Sequence, residues 1–296
     1  MTPNIILKTL IALLVFCKAS FGNTDSLLQK KGYAPVNGQK IYYEIYGKGK
    51  PLVLLHGLYT TIEMNWGKII PMLAKSHQVI ALEMQSHGHT PYSDRKLTYP
   101  VLAEDVAGVM QYLKIGKADI LGYSFGGNIA FQFVIANPKM VDHLILLSCA
   151  YKTEGWQKDL HDFLKTVKIE FFDHTPIKDE YLKTAPDTTK WHKFLRQMVD
   201  FDNSYYNLGE ENVRAIKSPV LLISGDNDGV EKSVLIETYK MLGGCTLGDV
   251  YGLPKSQLAI LPGSTHGSLV MQPDALYKLI ENFTNEDSQN QHQAFK

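Results

Sequence analysis

Gly122-Tyr123-Ser124-Phe125-Gly126 sets a hydroxyl between two glycines, directly after the apolar run Lys117 to Leu121 and directly before the helix-like stretch Gly127 to Ala136. A serine on a sharp strand-to-helix turn has its hydroxyl exposed. Glycines two residues to either side are needed because a Cβ there would collide across the turn. The helix that follows brings backbone N–H groups and the positive end of its dipole beside the serine, where a developing oxyanion would sit. Ser124 is the candidate nucleophile, and acyl transfer the candidate chemistry.

A serine hydroxyl is a poor nucleophile at neutral pH and needs a base within hydrogen-bond reach, most often a histidine oriented by a carboxylate. Among ten histidines, His266 stands apart: Leu258 to Leu261 reads as a strand, and Pro262 to Gly267 is the loop at its C-terminal end. Loops at that edge present side chains into the cleft. The carboxylate is sought in the loop after the strand Pro219 to Ser224, where Asp226-Asn227-Asp228 follows Gly225. Asp228 is the candidate; Asp226 lies closer to the strand end and suits a turn brace. Glu154 is a more distant alternative.

The elements that must position these groups are short, apolar strands separated by helices. Strands are predicted over Ile41 to Tyr46, Pro51 to Leu55, Gln78 to Met84, Ala118 to Tyr123 and Val141 to Cys149. Helices are predicted over Trp66 to Lys75, Leu97 to Leu113 and Ile129 to Ala136, the last stopped by Asn137-Pro138. Such alternation implies an α/β protein with a mostly parallel central sheet covered by helices on both faces. From Tyr151 to about Ile216 the alternation gives way to a helix-rich, aromatic and charged stretch, read as an inserted lid over residues 151–216. It resumes with the strand Pro219 to Ser224, the helix Glu231 to Leu242, the strand Leu258 to Leu261 and the helix Pro273 to Phe283. The core is thus expected in two pieces, 23–150 and 217–296; no role is assigned to the Gly-rich loop Gly243 to Pro254.

The order Ser124, Asp228, His266 in a strand-turn-helix context resembles the α/β-hydrolase fold family of serine hydrolases, over essentially the whole chain after residue 22. In that family a His-Gly segment after an early strand supplies a second oxyanion-hole N–H, and here Leu54-Leu55-His56-Gly57-Leu58 follows the matching strand. The resemblance implies that the N–H groups of Leu58 and Phe125 form the hole and that His56 braces the loop. Where the family often shows Asp-x-Arg-Gly-x-Gly-x-Ser, this chain has Glu83-Met-Gln-Ser-His-Gly-His-Thr90. Gln85 replaces an arginine, and Ser86 stands where a positive φ would favour glycine. His87 and His89 lack a third matched ligand, so no metal is expected, and no cofactor motif is found.

At 296 residues, 45% of them hydrophobic, the chain is long enough for one large core. Lys plus Arg equals Asp plus Glu at 30 each, so no overall field recruits nucleic acid or an anionic membrane surface. The N-terminus reads as a signal peptide over residues 1–22: Lys8, an apolar stretch from Leu10 to Phe16, and Ser20-Phe21-Gly22 before Asn23. Export to the periplasm or the exterior follows, and the apolar stretch is short for a membrane span of about 20 residues. Cys17 follows the bulky Phe16, unlike a lipid-attachment site. Cys149 and Cys245 are open to pairing, but one buried apolar cysteine and one incidental cysteine is the simpler expectation.

The expected substrate is a small to medium carboxylic ester, since the inserted segment is aromatic and no charge is concentrated. Carbon–carbon bond hydrolysis, amide or peptide hydrolysis and cofactor-free perhydrolysis use the same three residues, and a ligand-binding protein on this fold is the alternative from another class. Ser124 argues against the aspartate-based dehalogenases and epoxide hydrolases. The oligomeric state is not legible.

Overall fold

The computed structural model describes residues 25–285; the expected targeting segment, residues 1–22, lies outside them. Eight strands form one sheet in the order β1-β2-β4-β3-β5-β6-β7-β8. They are β1 Leu28–Val36, β2 Gln39–Tyr46, β3 Lys50–Leu55, β4 His77–Glu83, β5 Ala118–Tyr123, β6 Val141–Leu147, β7 Val220–Asn227 and β8 Gln257–Thr265. β1 and β2 run antiparallel to their neighbours, and from β4 to β8 every pairing is parallel. Parallel pairing sends all their C-terminal ends to one edge, so loops distant in sequence meet there.

The central strands are largely apolar because both faces are covered. One face packs against the helices Tyr99–Tyr112, Phe125–Ala136 and Lys232–Met241 through residues such as Leu102, Ile129 and Leu235. The opposite face packs against Trp66, Ile70 and Leu73 and the helix Pro273–Thr284, through Leu276, Ile280 and Phe283. Burying one such side chain contributes about 1.5–3 kcal/mol.

Several expected elements are corrected. The single helix expected over Trp66 to Lys75 is two short ones, Ile62–Trp66 and Ile70–Leu73, because Pro71 starts the second without an N–H. The sixth strand stops at Leu147 rather than Cys149, since Ser148 takes φ 49° and turns out of the sheet. β1 is not legible at all: Lys30, Lys31, Gly32 and Pro35 mask it, yet charge, glycine and proline are tolerated on an edge strand. The helix expected from Ile129 begins at Phe125, and the loop Gly243 to Pro254 contains a short helix, Gly248–Tyr251.

Between β6 and β7 lie the helices Lys158–Leu164, Pro176–Thr184, Trp191–Asp202 and Glu210–Ala215. Trp191–Asp202 buries Trp191, Phe194, Leu195, Met198 and Phe201, the spacing of one helical face. That face packs into the same core as the helix Phe125–Ala136, with Phe201 against Phe125 at 5.5 Å. Among the described residues no helix is long and apolar enough to cross a membrane.

Candidate active site

Ser124 leaves β5 with φ 54° and ψ −116° and caps the helix Phe125–Ala136. A non-glycine residue held there costs about 1–3 kcal/mol, which the surroundings must over-determine. Its N–H donates to the Leu147 carbonyl at 2.8 Å, tying the turn to β6. The flanking glycines serve close approach, neither having a positive φ: a Cβ on Gly122 would overlap the Gly126 carbonyl, and one on Gly126 would overlap the carbonyls of Leu55 and His56.

His266 opens a short helix, His266–Leu269, whose start is fixed by reciprocal hydrogen bonds between Thr265 and Ser268. The structure brings His266 Nε2 to 3.0 Å from Ser124 Oγ, and His266 Nδ1 to 3.0 Å from Asp228 Oδ1. Asp228 is only 1% exposed. Burial opposes its charge, but hydrogen bonds from His266, the Ser148 hydroxyl and the Val230 N–H, with the electrostatic attraction of the imidazole, outweigh it and hold the carboxyl at about 2. An ionised Asp228 can only accept, so Nδ1 carries the ring hydrogen and Nε2 presents a lone pair to the serine hydroxyl. The arrangement is that of a base aimed at a nucleophile, with Ser124 and His266 both partly exposed.

Three side chains to which the sequence assigned no role, Ser148, Tyr123 and Trp156, hold this chain in place. Tyr123 donates its hydroxyl to the His266 carbonyl at 3.0 Å, and its ring lies 5.2 Å from the imidazole. Gly57 makes room for that ring, since a Cβ there would come within 2.8 Å of it. Trp156, from the inserted segment, meets His266 edge-to-face at 5.5 Å. Ser148 was open to detection: it directly follows β6, the strand beside β7, at the edge where Asp228 sits. Tyr123 and Trp156 carry no such signal.

His56 is fully buried, and burial lowers its pKa to about 4, so the ring is neutral. Its Nδ1–H donates to the Gly57 carbonyl at 2.8 Å, and Nε2 accepts from the Met84 N–H at 3.1 Å. The Gly57 N–H is held by Asn65 Oδ1 at 2.8 Å. With this loop pinned and Gly126 seated on Leu55 and His56, Leu58 and Phe125 come from adjoining turns; among the described residues neither of their N–H groups is paired with a protein acceptor.

The departures in the loop after β4 have local explanations. Ser86 adopts φ 69°, and its hydroxyl donates to Gln197 of the inserted helix at 3.0 Å while accepting from the Ser93 N–H. Gln85 receives Arg95 Nε at 2.8 Å, so a cation still lies at that position, supplied from ten residues downstream. His89 Nδ1 is taken by the buried Glu83 at 2.9 Å and His87 Nδ1 by the Gln85 carbonyl at 2.9 Å. Among the described residues no group of three or more His, Cys, Asp or Glu side chains is disposed to hold a metal. Asp226 accepts the N–H groups of Gly263 and Ser264, each at 2.9 Å, bracing the turn that leads to His266. Glu154 is exposed. Cys149 is buried and Cys245 exposed, and they are not bonded to each other.

An eight-stranded, mostly parallel sheet with a serine turn after β5 and base and acid loops after β8 and β7 is the α/β-hydrolase fold. The family model described as the alpha/beta hydrolase fold matches residues 50–179, and the chain has that fold. It is 24% identical over 251 residues to a putative esterase/lipase of Haemophilus influenzae, covering 80% of this chain and 83% of the relative. It is 29% identical over 204 residues to the 2-hydroxymuconate semialdehyde hydrolase of Pseudomonas sp. (strain CF600), covering 62% and 72%. Among solved structures, the meta-cleavage product hydrolase of Pseudomonas fluorescens IP01 superposes with a TM-score of 0.68 at 21% identity, covering 88% of this chain and 98% of that one.

Proposed function

We propose that this protein of the α/β-hydrolase fold is a serine esterase acting on small to medium carboxylic esters through an acyl-enzyme. The observation that carries the reading is the unbroken chain from Ser124 Oγ through His266 to an ionised Asp228, 3.0 Å at each link. As Oγ bonds to the ester carbonyl carbon, His266 Nε2 takes its proton, and Asp228 stabilises the imidazolium. The carbonyl oxygen, now negative, is received by the N–H groups of Leu58 and Phe125, each such donor being worth about 10²–10³ in rate. His266 then returns the proton to the leaving alkoxide, and water repeats the sequence to release the acid.

The inserted residues 151–216 serve as the lid. Trp156 against His266 and Phe172 against Tyr59 at 4.9 Å, beside the oxyanion loop, support that role. A neutral aromatic surround favours an uncharged acyl group. Carbon–carbon bond hydrolysis on the same three residues is the second reading, favoured by the likeness to the hydrolases of 2-hydroxymuconate semialdehyde and of meta-cleavage products. The N-terminal pattern adds that the protein acts after export; in that case Asn23 is the first residue of the protein recovered from its host.

The test is a panel of p-nitrophenyl esters of short and medium acids, with 2-hydroxymuconate semialdehyde alongside, for the wild type and Ser124→Ala. Ester turnover lost in the variant, with fluorophosphonate labelling of the wild type only, supports the esterase. Turnover of the semialdehyde alone supports the second reading. Neither turnover nor labelling leaves a ligand-binding protein.

A further inference from the structure

His87 is a buried histidine that the ester chemistry does not use. It is 1% exposed, and its Nδ1 lies 2.9 Å from the Gln85 carbonyl. A carbonyl only accepts, so Nδ1 carries the hydrogen. Burial, with His56 nearby, keeps the ring neutral. Nε2, on the far side of the ring from Gln85, is therefore a bare acceptor, and among the described residues nothing donates to it. Its neighbours are rings: His56 at 4.9 Å, Phe194 of the inserted helix at 5.1 Å, and Phe125, the residue after the nucleophile, at 5.5 Å.

A second acceptor of the same kind lies one helical turn beyond Phe125. Asn128 Nδ2 donates to Tyr99 Oη at 3.0 Å and to Tyr206 Oη at 2.8 Å. The single hydroxyl hydrogen of Tyr206 goes to the Ala150 carbonyl, so Asn128 must be the donor, and its amide orientation is fixed. Asn128 Oδ1 is left buried and unpaired. Of four such buried side-chain atoms among the described residues, these are two, and both are acceptors. A continuous band of rings joins them: Tyr99 to Phe201 at 5.1 Å, Phe201 to Phe125 at 5.5 Å, then Phe125 to His87.

Buried acceptors in native proteins are nearly always satisfied, and sites that hydrogen-bond a substrate group reject analogues lacking it. We propose that the acyl part of the substrate carries a neutral hydrogen-bond donor, a hydroxyl or an amide N–H, which His87 Nε2 receives beside Phe125. A carboxylate has no hydrogen to offer this lone pair. An ammonium would need a carboxylate beside it, and that of Glu83 in the same loop is taken by His89. The inference rests on the proposed esterase reading and names its substrate class as hydroxyacyl or acylamino esters.

The experiment compares p-nitrophenyl hexanoate with its 2-hydroxy, 3-hydroxy, 6-hydroxy and 2-acetamido analogues, in the wild type, His87→Phe and His87→Gln. At least one donor-bearing ester is expected to exceed the parent in kcat/KM by roughly 10- to 100-fold in the wild type. The preference should collapse to within about threefold in His87→Phe, which keeps a ring but no acceptor, and return in part in His87→Gln. Each preference is a ratio within one enzyme, so a general loss of activity cancels. Equal rates on all five esters in the wild type, or a preference that survives His87→Phe, overturns the proposal. If the wild type cleaves none of them, the esterase reading fails separately. Calorimetry of Ser124→Ala with the free hydroxy, acetamido and parent acids then decides, and indistinguishable binding of all of them overturns the proposal.

Discussion

Replacing Asp228 by asparagine preserves its shape, so the outcome turns on which way the amide faces. Oδ2 accepts from the hydroxyls of Ser148 and Ser224 and lies 3.5 Å from the Gly225 N–H; Oδ1 accepts from the Val230 N–H at 3.2 Å and His266 Nδ1 at 3.0 Å. An NH₂ on the Oδ2 side opposes only one distant N–H, because the serine hydroxyls can rotate to accept from it. On the Oδ1 side it would oppose two close donors. The amide oxygen therefore stays on His266, the ring keeps its tautomer, and what is lost is the charge opposite the imidazolium. Two unit charges about 4 Å apart in an effective dielectric near 20 interact by about 4 kcal/mol, which is about 10³ in rate. Asp228→Asn should thus lower kcat/KM on the preferred ester by about 10³ with KM little changed, measured beside circular dichroism to establish folding. A loss under tenfold would refute the assignment of Asp228 as the group behind the base. The same carboxyl, held at about 2 against 3.8, contributes stability that is present above pH 4 and lost as pH falls towards 2. The acid-dependent part of the gap between wild type and variant, about 2 kcal/mol at neutral pH, should therefore shrink to about 0.4 kcal/mol at pH 2 and close below it.

Gly126→Ala forces a Cβ onto the carbonyls of Leu55 and His56, the latter 2.6 Å away; backbone cannot yield as a side chain can. A loss of about 3 kcal/mol or more in urea unfolding, with activity abolished, is expected, and a stable active variant would refute the packing argument. His56 titrates near 4 when folded and 6.5 when unfolded, so its stabilising contribution is full above pH 6.5 and declines as pH falls to 4. Stability should drop by about 2 kcal/mol between pH 7 and pH 5 from this group, with His87 adding in the same direction, and His56→Gln should flatten the profile; an unchanged slope would assign the effect elsewhere. Asp119 is fully buried at the N-terminal end of β5, bonded to Lys50 at 3.0 Å and His143 at 2.8 Å. Asp119→Ala should cost about 3–5 kcal/mol yet leave kcat of the folded fraction unchanged, because the site lies at the opposite ends of the parallel strands; a kcat loss above threefold would contradict that separation.

Much of the site was legible because its chemistry is written locally. A serine between two glycines at a strand-to-helix boundary has one main use, and a histidine or aspartate just past an apolar strand must lie at the strand's C-terminal edge. Asp226 and Asp228 could be separated only by preference, since two residues of loop decide which carboxyl turns inward. The structure sends Asp226 to the Gly263 and Ser264 N–H groups and Asp228 to His266. β1 escaped because an edge strand needs only partial burial, so its sequence shows no clean alternation.

From the sequence alone came most of the strands and helices in chain order, the serine turn after β5 and the loops that carry its candidate partners, all set by short-range backbone geometry and apolar periodicity. Tertiary structure alone decided which side chains touch. Ser148 reaches Asp228 across 80 residues and Tyr123 reaches the His266 carbonyl across 143. Trp156 lands on the imidazole, and His87 Nε2 is left without a donor among the described residues, beside Phe125. Such contacts depend on strand order and on how the inserted helices settle on the sheet, quantities summed over the whole chain and recorded in no local stretch of it.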